Sequence, residues 1–253
     1  MNIAVLVKEV PDLEARVEVK GSEIEVEPKR VLNFFDEIAV EAALQLRQAA
    51  GGGRVLAVGA GAGTGLEAVR RALAMGADAA VLVDDPALAD PDPLTVARAL
   101  AAVVREEGFD LVIAGKQATD DEAGLVGPMV AEILGVPCVV GVTSAELADG
   151  AVRVGREAGG GPERLRVPLP AVLTAEKGWH EPRVPQVMGL MRAMKAQIPR
   201  RSLADLGVEP LRPLASGGFQ GPRSRPEVRM IEGEPADAAA ELARLLRDEA
   251  RVI

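Results

Sequence analysis

Apolar positions follow two alternating rhythms over the first 142 residues. Continuous Val-, Ile- and Leu-rich runs fall at 2–7, 54–58, 79–83, 110–114 and 137–142, the pattern of strands buried on both faces of a parallel sheet. Between them apolar residues recur at helical spacing, as at Ile38, Ala42 and Leu46, and the helical stretches stop at Gly51-Gly52-Gly53, Gly76, Gly108 and Gly135. Repeated strand, helix, strand units predict an α/β fold with five parallel strands and crossover helices. Residues 16–26 alternate about Gly21-Ser22 and predict a hairpin inserted outside the core.

Past Thr143 the rhythm changes. Short alternating pieces at 151–157 and 163–167, separated by Gly159-Gly160-Gly161, predict an antiparallel extension of the mostly parallel sheet. A further apolar run at 171–175 predicts another strand, ending at a loop over 176–187. Residues 188–197 suit a short Met-rich helix stopped before Pro199, and in the Pro- and Gly-bearing tail from Ser202 only 237–251 reads as a helix. The predicted organisation is an α/β domain over 1–200 and a C-terminal arm over 201–253, which lacks the apolar content for its own core and is expected to pack on a partner chain.

Composition narrows the chemistry. A chain of 253 residues can bury roughly 70% of its extended surface without disulfides or structural metal. Its 38 acidic and 29 basic side chains leave a net charge of −9, which argues against nucleic acid as a partner. One Cys (Cys138) and one His (His180) exclude a Cys/His zinc site, a disulfide framework and any Ser-His or Cys-His pair except through His180. No catalytic residue and no metal ligand is assigned. No apolar run approaches the ~18–20 residues of a membrane span, and the start lacks the basic region of a signal peptide, so a cytoplasmic location without membrane insertion is expected.

Three segments carry candidate chemistry. Gly59, Gly61, Gly63 and Gly65 form a strand-to-helix turn that could admit a phosphate or could be a tight turn needing small residues; the spacing G-x-G-x-x-G fails, as does the P-loop pattern around Lys116. The stretch 115–127 leaves a buried strand at its carboxyl end, where open α/β sheets place ligands. There Thr119 or Asp120 could cap the next helix, or the N–H groups of Glu122 to Val126 could cradle an anion, with Ala123 and Gly124 small enough for close approach. Residues 182–204 hold Arg183, Arg192, Lys195, Arg200 and Arg201 ahead of the first acid, Asp205, and Met188, Met191 and Met194 share one helical stripe. That stripe could face the core, or with its arginines could dock an acidic partner.

Several motifs in order along the chain resemble the beta subunit of electron transfer flavoprotein: Val7-Lys8, Asn33-Phe34-Phe35-Asp36-Glu37-Ile38-Ala39-Val40-Glu41, Ala72-Leu73-Ala74-Met75-Gly76-Ala77-Asp78, Gly115-Lys116-Gln117-Ala118-Thr119-Asp120-Asp121, Glu181-Pro182-Arg183, Met191-Arg192-Ala193-Met194-Lys195 and Asp205-Leu206-Gly207-Val208. The resemblance implies a Rossmann-like, adenine-nucleotide-binding α/β domain paired with an alpha subunit that holds most of one redox-active FAD. It implies a structural AMP contacted by Leu6, by Asn33, Phe34, Phe35 and Asp36, by Ala60, and by Gly115, Lys116, Gln117, Ala118, Thr119, Asp120, Asp121, Glu122, Ala123, Gly124, Leu125 and Val126. Phe35 and Leu13 take the places of flavin contacts. Residues 183–194 are similar to a recognition loop for flavin dehydrogenases such as acyl-CoA dehydrogenases, with Val187 as anchor beside Arg183, Met188, Met191 and Arg192.

The implied activity is electron transport from such dehydrogenases, as in fatty acid oxidation, to a membrane quinone oxidoreductase. The chain departs from many relatives at Gly124-Leu125-Val126, where they have Asn-Gln-Thr, and at Lys195-Ala196-Gln197, where a lysine run is usual. The first departure removes a phosphate-binding hydroxyl. The alternative is an electron-bifurcating component with a second FAD in the AMP pocket, accepting hydride from NADH.

Overall fold

The computed structural model describes residues 1–211, 218–225 and 227–253. Strand β1 (Asn2–Val7) turns Ile3, Val5 and Val7 to one apolar layer and Ala4 and Leu6 to the other, so period-two geometry buries both of its faces. Four short strands follow outside the main sheet: β2 (Glu9–Pro11), β3 (Val17–Lys20), β4 (Glu23–Val26) and β5 (Arg30–Leu32). β2 pairs antiparallel with β5, and β3 with β4 forms the expected hairpin about Gly21. Helix α1 (Phe34–Ala49) leads to β6 (Arg54–Gly61), α2 (Leu66–Met75), β7 (Ala79–Asp84), α3 (Pro93–Glu107), β8 (Leu111–Gly115) and α4 (Val126–Leu134). Then come β9 (Cys138–Ala148), β10 (Ala151–Ala158), β11 (Gly161–Pro168), β12 (Ala171–Ala175), α5 (Val187–Lys195), β13 (Arg200–Arg201) and α6 (Pro235–Arg244).

Among the described residues the main sheet runs β11-β10-β9-β12-β8-β1-β6-β7-β13. From β9 to β13 across that order the pairs are parallel, while β9-β10-β11 are antiparallel. The mostly parallel α/β fold with an antiparallel extension is therefore the observed one. Apolar residues of α1 and α2 cover one face of the sheet and those of α3 and α4 the other. From β1 the chain winds through β6 to β7, then returns to β8 on the opposite side of β1. The carboxyl ends of β1 and β8 thus flank a point where the strand order reverses, the place such sheets offer to ligands.

The five parallel strands expected are β1, β6, β7, β8 and β9, and the later run at 171–175 adds to them. β12 inserts between β8 and β9, pairing parallel with both, because a strand buried on both faces can serve any central slot. β6 continues through Gly61, absorbing the first half of the glycine turn, since Gly59 gives α2 room: a Cβ there would lie 2.9 Å from Val69 Cγ1. β9 runs on to Ala148, beyond the expected end at 142. The last helix starts at Pro235 and gives way to a π-helical turn over Leu245–Glu249.

The chain divides into a larger unit, Met1–Glu18 with Ile24–Gly217, and a smaller one, Val19–Glu23 with Gly218–Ile253. Residues 200–208 belong to the larger unit: β13 pairs with β7, Leu203 is buried, and Leu206 and Val208 pack on the same apolar cluster. Of the arm expected over 201–253, residues 212–217 and 226 lie outside the described residues. In the smaller unit Phe219 N–H donates to Ser22 O at 3.0 Å, and none of the described residues in 218–253 is buried.

Candidate functional site

The loop 116–125 joins β8 to α4 beside the end of β1, and buried side chains strap it in place. Asn33 occupies the N-cap position of α1 yet makes no side-chain cap bond there. Its amide is spent on the loop instead: Nδ2 donates to Gln117 O at 2.9 Å and Oδ1 accepts Thr119 N–H at 3.1 Å. Asp36 Oδ2 accepts Lys8 N–H at 2.7 Å and Oδ1 accepts Gly115 N–H at 3.1 Å, so one carboxyl ties the ends of β1 and β8 together. Burial pushes that carboxyl up to about 7, against the pull of the Lys8 and Gly115 N–H groups and the Asn33 side chain.

Lys8 Nζ reaches Asp120 Oδ1 at 2.7 Å and Asp121 Oδ2 at 2.9 Å. Burial works against the ammonium, but these two carboxylates hold it above the usual lysine range. Asp121 in turn is held low: burial opposes its charge, while Ala123 N–H and Lys8 favour it. Lys116 Nζ pairs with Glu176 at 2.5 Å, binding the loop to the end of β12.

Thr119 and Asp120 cap nothing, because α4 begins only at Val126 and its N-cap, Leu125, offers no side-chain acceptor. Two of the five amides read as an anion cradle are already used: Glu122 N–H donates to Ala118 O at 2.9 Å and Ala123 N–H to Asp121 Oδ1 at 3.0 Å. With Glu122 (φ 51°) and Gly124 (φ 63°) in the left-handed region, the chain then swings into the helix. Among the described residues the N–H groups of Gly124, Leu125 and Val126 have no acceptor. They lie at the positive end of α4, where an anion is favoured.

The glycine turn differs. Glu9 Oε2 accepts the N–H groups of Gly65 at 2.9 Å and Glu67 at 3.0 Å, and Asp84 Oδ1 accepts Gly63 N–H at 2.8 Å. Carboxylates of the chain itself fill the positions a phosphate would take. Of the remaining nucleotide and flavin candidates, Leu6 is buried, Ala60 half-buried in β6, and Phe34 and Phe35 half-buried with their rings 5.4 Å apart edge to face. Leu13 is exposed. On α5 the Met stripe faces outward: Val187 is 71% exposed, Met188 80%, Met191 53% and Met194 73%. Arg192 turns inward, donating to Leu73 O at 3.3 Å, and Arg183 pairs with Glu41.

Residues 23–206 match the family model described as the electron transfer flavoprotein domain. A protein of Bacillus subtilis (strain 168) named electron transfer flavoprotein subunit beta is 34% identical over 258 residues, covering all of both chains. Proteins of the same name from Syntrophomonas wolfei and Sus scrofa are each 36% identical over 257 residues, covering 100% of this chain and 99% of theirs. The chain belongs to the electron transfer flavoprotein beta-subunit family.

An electron transfer flavoprotein beta subunit has an alpha subunit as its partner and serves electron transfer in a flavoprotein, without being in general a catalytic enzyme. Among the described residues no helix of this one is long and apolar enough to cross a membrane. Sequence reasoning gave no role to four side chains that organise the fold around its loop segments: Lys8 and Glu41, which stand in the motifs quoted above, and Glu9 and Glu176. Only Lys8 carried a signal, a lone cation directly after a buried strand at its carboxyl end. The carboxylates find these partners 56 to 142 residues away, which no local pattern marks.

Proposed function

We propose that this chain holds a structural AMP at the 115–126 loop and, with its alpha subunit, forms an FAD-containing heterodimer. That heterodimer carries electrons from flavin dehydrogenases, such as acyl-CoA dehydrogenases, to a membrane quinone oxidoreductase. The observation that carries the nucleotide assignment is the row of open amides, Gly124 to Val126, at the start of α4. They suit a phosphate without help from a hydroxyl side chain, and Asn33, Asp36 and Lys8 hold their loop before any ligand arrives. Gly115 leaves space for that arrangement, since a Cβ there would lie 2.2 Å from Asp36 Oδ1.

FAD, when bound, supplies the electron-carrying chemistry. This chain's part is to shield the flavin from the beta side with Leu13 and Phe35, whose exposed and half-exposed side chains are open to a group held by the partner. The outward stripe of α5 within 183–194 docks the dehydrogenases, and the C-terminal arm packs on the alpha subunit. The cytoplasm is the proposed location.

Acid extraction of the purified heterodimer tests the reading. One FAD and one AMP per heterodimer are expected. No adenine nucleotide beyond FAD overturns the AMP assignment, and two FADs place the protein among bifurcating forms that accept hydride from NADH. For docking, Val187→Ala is expected to slow electron uptake from an acyl-CoA dehydrogenase by about tenfold without loss of FAD; an unchanged rate removes α5 from the assignment.

A further inference from the structure

Helix α5 has a second, inward face, and its contacts are more specific than simple burial requires. Gly189 rests on the carbonyl end of α2: a Cβ there would lie 2.5 Å from Ala74 O, so only glycine lets the two helices approach this closely. Arg192 donates to Leu73 O, placing a cation at the negative end of the α2 dipole, and Ala193 is buried alongside. Gly189, Arg192 and Ala193 lie at helical spacing on one side, while Val187, Met188, Met191 and Met194 occupy the other.

The approach to α5 is fixed as well. Glu41, in the middle of α1 with its side chain 5% exposed, accepts Arg183 Nε at 2.6 Å, Arg183 Nη2 at 2.8 Å and the Arg183 backbone N–H at 3.3 Å, while Gln45 Nε2 adds a bond of 2.7 Å. Apolar residues of similar volume could fill such a site with no loss of stability; a forked, bidentate pair adds a fixed position and orientation. It is made to a segment with no helix or strand of its own, between β12 and α5. Beyond α5 the chain is held again where Leu82 N–H donates to Pro199 O at 3.0 Å.

We propose that Glu41 and Gly189 are positioning residues for docking. They fix the distance and rotation of α5 on the domain, so that Val187, Met188, Met191 and Met194 form one preformed apolar surface for the electron-donating dehydrogenase. The inference rests on the reading of α5 as the docking element. Neither residue can touch a partner itself: Glu41 is buried and Gly189 faces α2.

The test uses the heterodimer with its alpha subunit, an acyl-CoA dehydrogenase with acyl-CoA as electron source, and three variants: Glu41→Gln, Gly189→Ala and Val187→Ala. Glu41→Gln and Gly189→Ala are expected to raise KM for the flavoprotein by about tenfold while kcat at saturation, bound FAD and the rate of flavin reduction by dithionite stay unchanged. Amide exchange over 187–195 is expected to quicken in Glu41→Gln. A purely structural role predicts loss of FAD or of folded protein with no KM change in what remains. If Val187→Ala raises KM and the other two do not, the inference is overturned and the docking role of α5 stands. If Val187→Ala also has no effect, the docking reading fails and the inference with it.

Discussion

Asp36 meets two opposing demands. Two backbone N–H groups favour its ionised form, and burial opposes that form more strongly, lifting its titration to about 7 from an ordinary 3.8. Between these two values the unfolded chain releases the proton and the folded chain keeps it, so stability falls as pH rises through the window and levels off above about 7. The full effect is up to about 4 kcal/mol. Asp36→Asn removes the titrating group, so urea midpoints of the two proteins measured from pH 4 to 8 should show the wild type losing ground to the variant as pH rises. A pH-independent difference would show that burial does not govern this carboxyl. Gly115 is the other half of the device, with Phe35 Cβ 2.8 Å and Asp36 Oδ1 2.2 Å from any added Cβ. Gly115→Ala should force the carboxyl off both N–H groups and cost about 2–4 kcal/mol, with AMP content of the heterodimer falling in parallel. Neither role was legible beforehand: Asp36 and Gly115 read only as nucleotide contacts implied by the resemblance, and the contact between them joins residues 79 apart in sequence.

The two helix N-termini that open near the strand ends look alike in sequence and are opposite in chemistry. At α2 the amides are closed by Glu9, which lies just past β1. At α4 no side chain among the described residues closes them. Glycine content pointed to the first as readily as to the second, because glycine reports room for the backbone and says nothing about which acceptor arrives. Glu9→Ala should therefore act as loss of a cap, lowering stability by about 1 kcal/mol and leaving the nucleotide content of the heterodimer unchanged. A drop in bound AMP would mean that the glycine turn takes part in nucleotide binding after all. Hydrophobic rhythm served better for the elements themselves. Most of the strands and helices lie within a few residues of where the apolar runs put them, since burial on one or both faces is what the rhythm encodes. Asn33 stands at the N-cap of α1 without capping it, because tertiary partners, Gln117 and Thr119, outcompete the helix's own amides for its side chain.

At the scale of the whole chain, strand order was the least legible property. Residues 171–175 are buried throughout, a trait every central strand shares, so nothing local says that they enter between β8 and β9. The crossover that places β8 next to β1 is equally silent in sequence, although it creates the reversal of strand order at which such sheets offer a ligand position. The tail presents a different case, where the reading came from composition. Helix α6 has no buried residue, and Val228, Met230, Leu242, Val252 and Ile253 remain exposed. These open apolar side chains are the surface we propose the alpha subunit covers. The larger unit, by contrast, contains both apolar layers of the sheet. Truncation after Gly217 should accordingly leave the thermal midpoint of the isolated chain within a few degrees of the intact one and weaken its association with the alpha subunit by at least about tenfold. Calorimetry on the isolated chain and sedimentation of the mixed subunits would read the two effects separately. A truncated chain that unfolds early, or one that still binds the alpha subunit with full affinity, would show that the arm serves this chain's own fold instead.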